Sequence, residues 1–489
     1  MLQNDIYERA RLARDARFDG QFYIGVRSTG IYCRPICPAN APKSENVRFF
    51  PSAAAAGEAG FRPCLRCRPE CAPGTPAWSG TSTTVRRGLR LISNGALDDG
   101  NIENLADRLG VTSRHLRRLF TKHLGASPLA VAHTQRLHFA KRLIDETTLP
   151  MSHVSSAAGY GSIRRFNDAF RKTYGRSPRE LRRAGEESEL SGRTATLTVR
   201  LPYRQPFDWS ALLDFFAGRA TPGVEAVNGD TYSRTVISND NHGVVEIRPD
   251  QREGYLSLTL HCVDTNALFE TVQTAREVFD LDAPISEIRA TLGKDKSIKA
   301  MLRKNPGVRV PGAWDGFEIT IRAILGQQIS VKAATTLAGR IAGKYGERLE
   351  LPGTNIEGGL SHLFPTAERL MRARFQNIGL VRSRAETIRR VSAAVVSGEL
   401  QFDVAQDPEQ FCDALKSIKG VGDWTAQYVA MRALKNPDAF PGSDLGLLKA
   451  IAYPDRVTPK ELITMAEDWR PWRAYAAMLL WGSLPGSGG

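Results

Sequence analysis

Two close cysteine pairs stand near the start of the chain, Cys33-x3-Cys37 and, after 26 further residues, Cys64-x2-Cys67. Four thiolates in two short-range pairs joined by a long loop are the donor set that a tetrahedral zinc ion takes. A zinc-bound thiolate is deprotonated and attacks soft electrophiles such as a methyl group. Cys71 follows four residues after Cys67 and is an alternative ligand, although Cys64 and Cys67 form the better-spaced pair. Arg27, Arg34, Arg48, Arg62, Arg66 and Arg68 crowd the cluster, and such cations attract phosphate and sustain thiolate character. The other cysteines, Cys262 and Cys412, are isolated and read as small buried hydrophobes.

A second chemical stretch is "LKSIKGVGDWTAQYVAMRAL", Leu415–Leu434. Lys419-Gly420-Val421-Gly422 predicts a tight turn between two helices. Its glycines allow backbone N–H groups to approach phosphate, at the positive end of the following helix. Asp423 is placed to cap that helix. Trp424 and Tyr428 are four apart and share a helical face. Core packing explains most such pairs; beside a phosphate-binding turn, a wall on which a base stacks is at least as good a reading. Downstream, "FPGSDLGLLKAIA" sets Asp444 at the start of a helix. In isolation it reads as an N-cap.

These groups need a scaffold. The chain has 489 residues, 42% of them hydrophobic, and a net charge of +14. That length predicts two to four domains with real cores, and the charge points to nucleic acid as partner. No run of about 18 apolar residues is present, which predicts no membrane span. The charged start MLQNDIYERARLARDARFDG lacks the apolar core of a signal peptide, so the bacterial cytoplasm, on the nucleoid, is the expected location.

The middle of the chain repeats. Lys122-His-Leu-Gly125-Ala-Ser127-Pro128 returns as Lys172-Thr-Tyr-Gly175-Arg-Ser177-Pro178. Each copy follows a short helix, a glycine turn (Gly110; Gly159 and Gly161) and a basic second helix. Ile102, Leu105, Ala106 and Leu109 form one inward face, Val154, Ala157 and Ala158 the other. Ser113 is placed to cap the second helix of the first unit. Ser113, Arg114, Arg117 and Arg118, and then Ser162, Arg164, Arg165 and Asn167, suit major-groove recognition helices. Pro76–Thr84 and Ala184–Thr196 read as linkers. "TATLTVRLPY", "HGVVEIRPD" and "GYLSLTLHCV" alternate like strands, and from Ile285 the pattern is almost wholly helical.

Three resemblances follow from these motifs. "VRSTGIYCRPICPA…ENVRFF…AGFRPCLRCRPE" resembles the amino-terminal domain of the Ada methylation-repair proteins, over residues 1–75. The likeness implies one zinc on Cys33, Cys37, Cys64 and Cys67. It further implies that Cys33 takes a methyl group irreversibly from a methyl phosphotriester in DNA, and that Thr29 and Arg34 lie against the backbone. Four thiolates around one zinc carry a net double negative charge, and methylating one halves it. Less repulsion from phosphate means tighter DNA binding, which is the logic of a switch that activates transcription. Residues 84–183, above all "GYGSIRRFNDAFRKTYGRSP", resemble the AraC-type DNA-binding domain, which implies two helix-turn-helix units joined by a helix near Leu129–Leu143.

The third resemblance spans residues 197–482 and includes "FDWSALLDFF", "GVRVPGAWDGFEITIRAILGQQISV" and "WRPWRAYAAMLLW". It is to the helix-hairpin-helix DNA glycosylases, and within them to the AlkA-type 3-methyladenine enzymes. It implies Asp444 as the catalytic carboxylate, and Trp424, Tyr428, Trp481 and Phe215 as an aromatic pocket for a flipped base. Gly420 and Gly422 would hold backbone, and Gln328 (with Ile329 as the alternative) would wedge into the emptied stack. Trp424 stands where strand-cutting relatives carry a lysine, so a monofunctional glycosylase is expected. The alkylguanine-transferase site Pro-Cys-His-Arg does not occur.

The expected fold is multidomain and mainly α with α+β parts. It comprises a small four-cysteine zinc domain (1–75), a double helix-turn-helix (84–183), a small mixed α+β domain (195–285) and an all-helical helix-hairpin-helix domain (286–485). The implied partners are double-stranded DNA, both alkylated and at promoter sites, and RNA polymerase. A monomer is the expected state, and a monovalent cation at the hairpin the one further ion.

Overall fold

The computed structural model describes residues 2–73, 83–98, 100–182, 196–238, 241–261, 264, 267–349, 359–402, 406–451 and 457–484. Most of both linker stretches, and Cys262, lie outside the described residues.

The first unit is a four-stranded sheet of β1 (Tyr23–Val26), β2 (Ile31–Cys33), β3 (Val47–Phe50) and β4 (Arg62–Pro63), in the order β3-β1-β2-β4. The β1–β2 hairpin is antiparallel, with Ile24 opposite Cys33, while β4 runs parallel to β2. That pairing brings the distant second cysteine pair beside the first. Phe22 stacks on Tyr7 and meets Phe18 and Phe49 edge-on, closing the outer face. Ser52 caps the helix Ala53–Glu58 by accepting from Ala55 N.

The repeat folds as two helix-turn-helix units around the helix Pro128–Glu146. In each second helix the apolar residues recur one turn apart: Leu116, Phe120 and Leu124 in Ser113–Leu124, and Phe166, Phe170 and Tyr174 in Ile163–Tyr174. All are buried. Gly125 and Gly175 both end their helix at φ +68°, a left-handed conformation that glycine adopts without strain. One cap differs from expectation. Thr112, not Ser113, accepts from His115 N, because the helix starts one residue earlier than the pattern suggests, at Ser113 itself. In the second unit Ser162 caps as the equivalent residue.

The third unit is an antiparallel sheet of β5 (Thr196–Pro202), β6 (Glu225–Asn228), β7 (Thr231–Ser238), β8 (Asn241–Pro249) and β9 (Tyr255–His261), ordered β5-β9-β8-β7-β6. The helices Trp209–Ala217 and Leu268–Val278 share its core through Phe216, Tyr232 and Phe279. From Ile285 the described residues form helices, with only an isolated bridge between Arg348 and His362. Their core centres on Trp469, Phe411 and Leu480, and Trp469 donates to Asp295 at 3.0 Å.

The cores cross the unit boundaries. Tyr23, Tyr32 and Phe50 of the zinc unit belong to one apolar cluster with Leu116 and Phe120. Ser52 donates to Leu124 O at 2.7 Å, and Ser127 to Glu58 at 2.9 Å. Arg68 pairs with Asp145 of the central helix at 2.7 Å, and β4 lies against the helix Ile163–Tyr174. Further on, Phe139 meets Phe269 edge-on at 4.7 Å, and Arg204 donates to Asp19 O at 3.0 Å.

Candidate functional site

The four cysteines converge as the sheet requires. Cys33 ends β2, and Cys64 follows β4, its N–H bonded to Tyr32 O at 3.0 Å. A turn closed by Cys37 N on Arg34 O, and another by Arg68 N on Cys64 O, bring in Cys37 and Cys67. All four sulfurs lie within 4.8 Å of one another. Four sulfurs at the usual zinc distance are about 3.8 Å apart, so this set fits one zinc. Cys71 lies outside it, buried in the turn Pro69–Cys71, where burial pushes its thiol up to about 11. Cys33 and Cys37 are half-exposed, whereas Cys64 and Cys67 are buried.

Arg34 departs from its expected place at DNA. Its side chain is buried, ion-paired with Asp19, and donates to Cys67 O at 3.1 Å. It braces the cysteine loop and cannot reach a phosphate from there. Arg68 also turns inward, to Asp145 and Glu70. The exposed cations beside the cluster are Arg27, Arg48, Arg62 and Arg66, with exposed Thr29 in the β1–β2 turn. Arg114, Arg117, Arg118, Arg164 and Arg165 are exposed on the two second helices, and Asn167 is half-buried.

In the carboxy-terminal half a cleft of about 1210 Å³ is lined by Phe215, Arg219, Gln328, Trp424, Tyr428, Asp444 and Trp481. Helices Pro408–Ser417 and Asp423–Arg432 form the hairpin, with Gly420 at φ +100° between them. Asp423 does not cap the second helix. Gly422 occupies the cap position and Asp423 the first helical turn, where its charge faces the positive helix end. A Cβ on Gly420 would lie 2.0 Å from Thr387 Oγ1. Gly420→Ala is therefore expected to cost at least about 2 kcal/mol of stability and to weaken non-specific DNA binding, measurable by thermal unfolding and by anisotropy on undamaged duplex.

Trp424 and Tyr428 stack in parallel, with ring centroids 5.4 Å apart and planes at 7°. Trp481 meets Tyr428 at 6.3 Å and 65°. Asp444 sits between the two indoles. Trp424 Nε1 donates to its Oδ2 at 2.8 Å, and Trp481 Nε1 to its Oδ1 at 2.9 Å. The N-cap reading also holds, since Leu447 N donates to Oδ1 at 3.0 Å. Gly446 lets this happen, because a Cβ there would lie 2.9 Å from Oδ1 and 3.2 Å from the Trp481 ring.

Gln328 stands exposed at the cleft edge with φ +57°. Ile329 is half-buried and packs on the core. The segment is pinned by Gln327, which donates to Gly420 O at 3.2 Å and Thr425 Oγ1 at 2.9 Å, and by Arg384, which donates to Gln327 O at 2.5 Å. The hairpin carbonyls of Lys419 and Gly420 thus accept from Thr387 and Gln327.

Sequence reasoning missed the cations behind the aromatic wall. The Arg219 guanidinium lies 3.9 Å from the centroid of the Phe215 ring, and Arg432 lies 5.0 Å from it on the same ring. Arg432 also donates to Tyr428 Oη at 2.6 Å. Burial raises the Tyr428 hydroxyl, but Arg432, Arg219 and Arg322 outweigh it and hold it below its ordinary value. Arg322 donates in turn to the Arg219 carbonyl and pairs with Glu225 at 2.7 Å and Glu318 at 2.9 Å. Arg219 carried a signal only in its place four residues after Phe215, in the turn that follows the helix Trp209–Ala217.

A four-thiolate clasp, two helix-turn-helix units and a helix-hairpin-helix cleft with one carboxylate among aromatics define a DNA-repair glycosylase joined to a metal-dependent regulator. The families described as the metal binding domain of Ada, a helix-turn-helix domain, the AlkA N-terminal domain and the HhH-GPD superfamily of base excision DNA repair proteins match residues 7–70, 105–184, 198–315 and 321–474. A probable bifunctional transcriptional activator/DNA repair enzyme AlkA of Mycobacterium tuberculosis is 40% identical over 97% of this chain and 95% of its own length. The chain belongs to that family of bifunctional activator and repair proteins. DNA-3-methyladenine glycosylase 2 of Escherichia coli is 34% identical over 58% of this chain and 95% of its own length. A 3-methyladenine DNA-glycosylase structure from Archaeoglobus fulgidus, 23% identical, shares the fold over 57% of this chain and 96% of its own at a TM-score of 0.50. No described helix is long and apolar enough to cross a membrane.

Proposed function

We propose that the chain excises alkylated bases of the 3-methyladenine type from DNA, and that it takes methyl groups from DNA phosphotriesters onto Cys33 to become an activator. The observation that carries the first activity is Asp444, held by two indole N–H groups in a cleft walled by Trp424 and Tyr428. An N-alkylated purine is cationic and leaves without being protonated. The C1′–N bond breaks and the base leaves neutral, positive charge grows on the sugar, and the Asp444 carboxylate stabilises it and orients the water, whose oxygen joins C1′ as one of its protons is lost to solvent. With Trp424 in the place of a lysine, no covalent sugar adduct forms and the product is an abasic site. Gln328, exposed and held by the Gln327 anchor, fills the space that the base leaves.

In the second activity the Cys33 sulfur forms a bond to the methyl carbon, the methyl C–O bond breaks, and an ordinary phosphodiester departs. Cys33, Cys37, Cys64 and Cys67 would hold a zinc ion, which when bound would keep the attacking sulfur as a thiolate. Thr29, Arg27, Arg48, Arg62 and Arg66 are the groups placed to meet backbone. The helix-turn-helix units read a promoter, with RNA polymerase as partner and a cytoplasmic monomer as the working form. The experiment that tests the pair of activities is base release and intact-mass analysis on the same zinc-loaded protein with methylated duplex.

Arg219 bears on substrate choice. A cation on the Phe215 ring competes with a cationic base for the same π-face and repels it. Arg219→Ala is expected to raise the excision of cationic bases over uncharged damaged purines on the order of tenfold, about 1.4 kcal/mol, in kcat/KM ratios for the two substrates.

A further inference from the structure

The regulator half touches the glycosylase where the aromatic-wall helix ends. Helix Asp423–Arg432 gives way to Leu434 and Lys435, the latter at φ +54°. The carbonyls at a helix end have no partners within the helix and carry the negative end of its dipole. Here most are taken from inside the glycosylase. Asn436 N donates to Ala430 O at 3.1 Å and Ala313 N to Arg432 O at 3.0 Å. Two carbonyls in the turn just beyond the cap residue Ala433 are reached from outside the glycosylase. Arg90, on the helix Thr83–Ser93 that precedes the first helix-turn-helix unit, donates to Leu434 O at 2.5 Å and Lys435 O at 3.1 Å. Lys435 Nζ, which could have served locally, goes to Ala313 O at 3.1 Å. Arg432, just before this turn, holds Tyr428 Oη and donates to Gly312 O at 2.9 Å. A continuous path of hydrogen bonds and one helical turn thus joins Arg90 to the base-stacking ring.

We propose that Arg90 is a positioning residue for base excision: the regulator half completes the turn that seats the aromatic-wall helix, so the glycosylase is whole only with that half docked on it. This rests on the reading of Trp424, Tyr428 and Asp444 as the excision site. The full-length, zinc-loaded chain tests it. In Arg90→Gln, single-turnover excision from methylated duplex is expected to fall about three- to ten-fold, the effect of losing one or two such hydrogen bonds. Amide exchange should rise over residues 425–436 and not elsewhere, and methyl uptake should not change. Arg90→Lys, which keeps the charge but reaches one carbonyl, should fall between the two. Wild-type excision in Arg90→Gln overturns the proposal, as does a loss accompanied by faster exchange throughout the chain. Should Arg90→Gln not fold, Arg90→Lys decides: a partial loss with exchange raised only over 425–436 supports the proposal, and wild-type behaviour overturns it. Asp444→Asn, run in parallel, separates the two readings. Excision surviving there sinks the site assignment, whereas excision lost there but intact in Arg90→Gln sinks the coupling alone.

Discussion

Asp444→Asn is expected to lower single-turnover base release from methylated duplex by about 10²–10³-fold while the protein stays folded. The size follows from charge. A carboxylate about 4 Å from a developing cation contributes about 4 kcal/mol at the effective dielectric of a protein cleft, and asparagine contributes only a dipole. The fold should survive because asparagine keeps one oxygen for Leu447 N and one indole. Its amide group then faces the other indole N–H, leaving that donor unpaired at a cost of about 1–3 kcal/mol, which a modest fall in Tm will show. An asparagine variant that releases bases at the wild-type rate would mean that some other group stabilises the sugar.

Cys33→Ala should end methyl uptake altogether and leave base release at its wild-type rate. Of the four ligands only Cys33 and Cys37 are open to solvent, and Cys33 lies at the end of the strand that follows the exposed Thr29 turn. Intact mass after incubation with methyl phosphotriester DNA reads the first effect, and base release reads the second. Zinc content should persist on the other three thiolates, with water in the fourth position. A methyl group still acquired by the alanine variant, mapped to Cys37, would move the acceptor to the other exposed sulfur.

The contrast between these sites shows what the chain makes legible. The cysteine spacing, the basic repeat and the glycine hairpin are local patterns, and the structure keeps them as read. Asp444 was legible as a cap, and Leu447 N donates to it as that reading requires; the two indole donors that support its proposed role come from 20 and 37 residues away. What could not be read depends on distant partners. Nothing near Arg34 announces Asp19, so a cation beside a phosphate-seeking cluster looked like a DNA contact and is instead a buried brace. The caps at Thr112 and Gly422 differ from expectation by single residues: Thr112 and Ser113 are neighbouring hydroxyls that could each cap one helix start, and Gly422 holds the cap position with no side-chain bond. The cations on Phe215 come from the turn after its own helix and from a helix end more than two hundred residues further along, and no periodicity reports the second.

The zinc unit is seated on both helix-turn-helix units by Ser52, Glu58, Arg68 and β4, with a shared apolar core beneath. Sensor and reader therefore diffuse as one particle. The effective concentration of one at DNA held by the other is set by packing, not by the length of a tether. A protease cut between residues 73 and 83 would leave two fragments that still migrate together, and damage sensing would outlive the break in the chain.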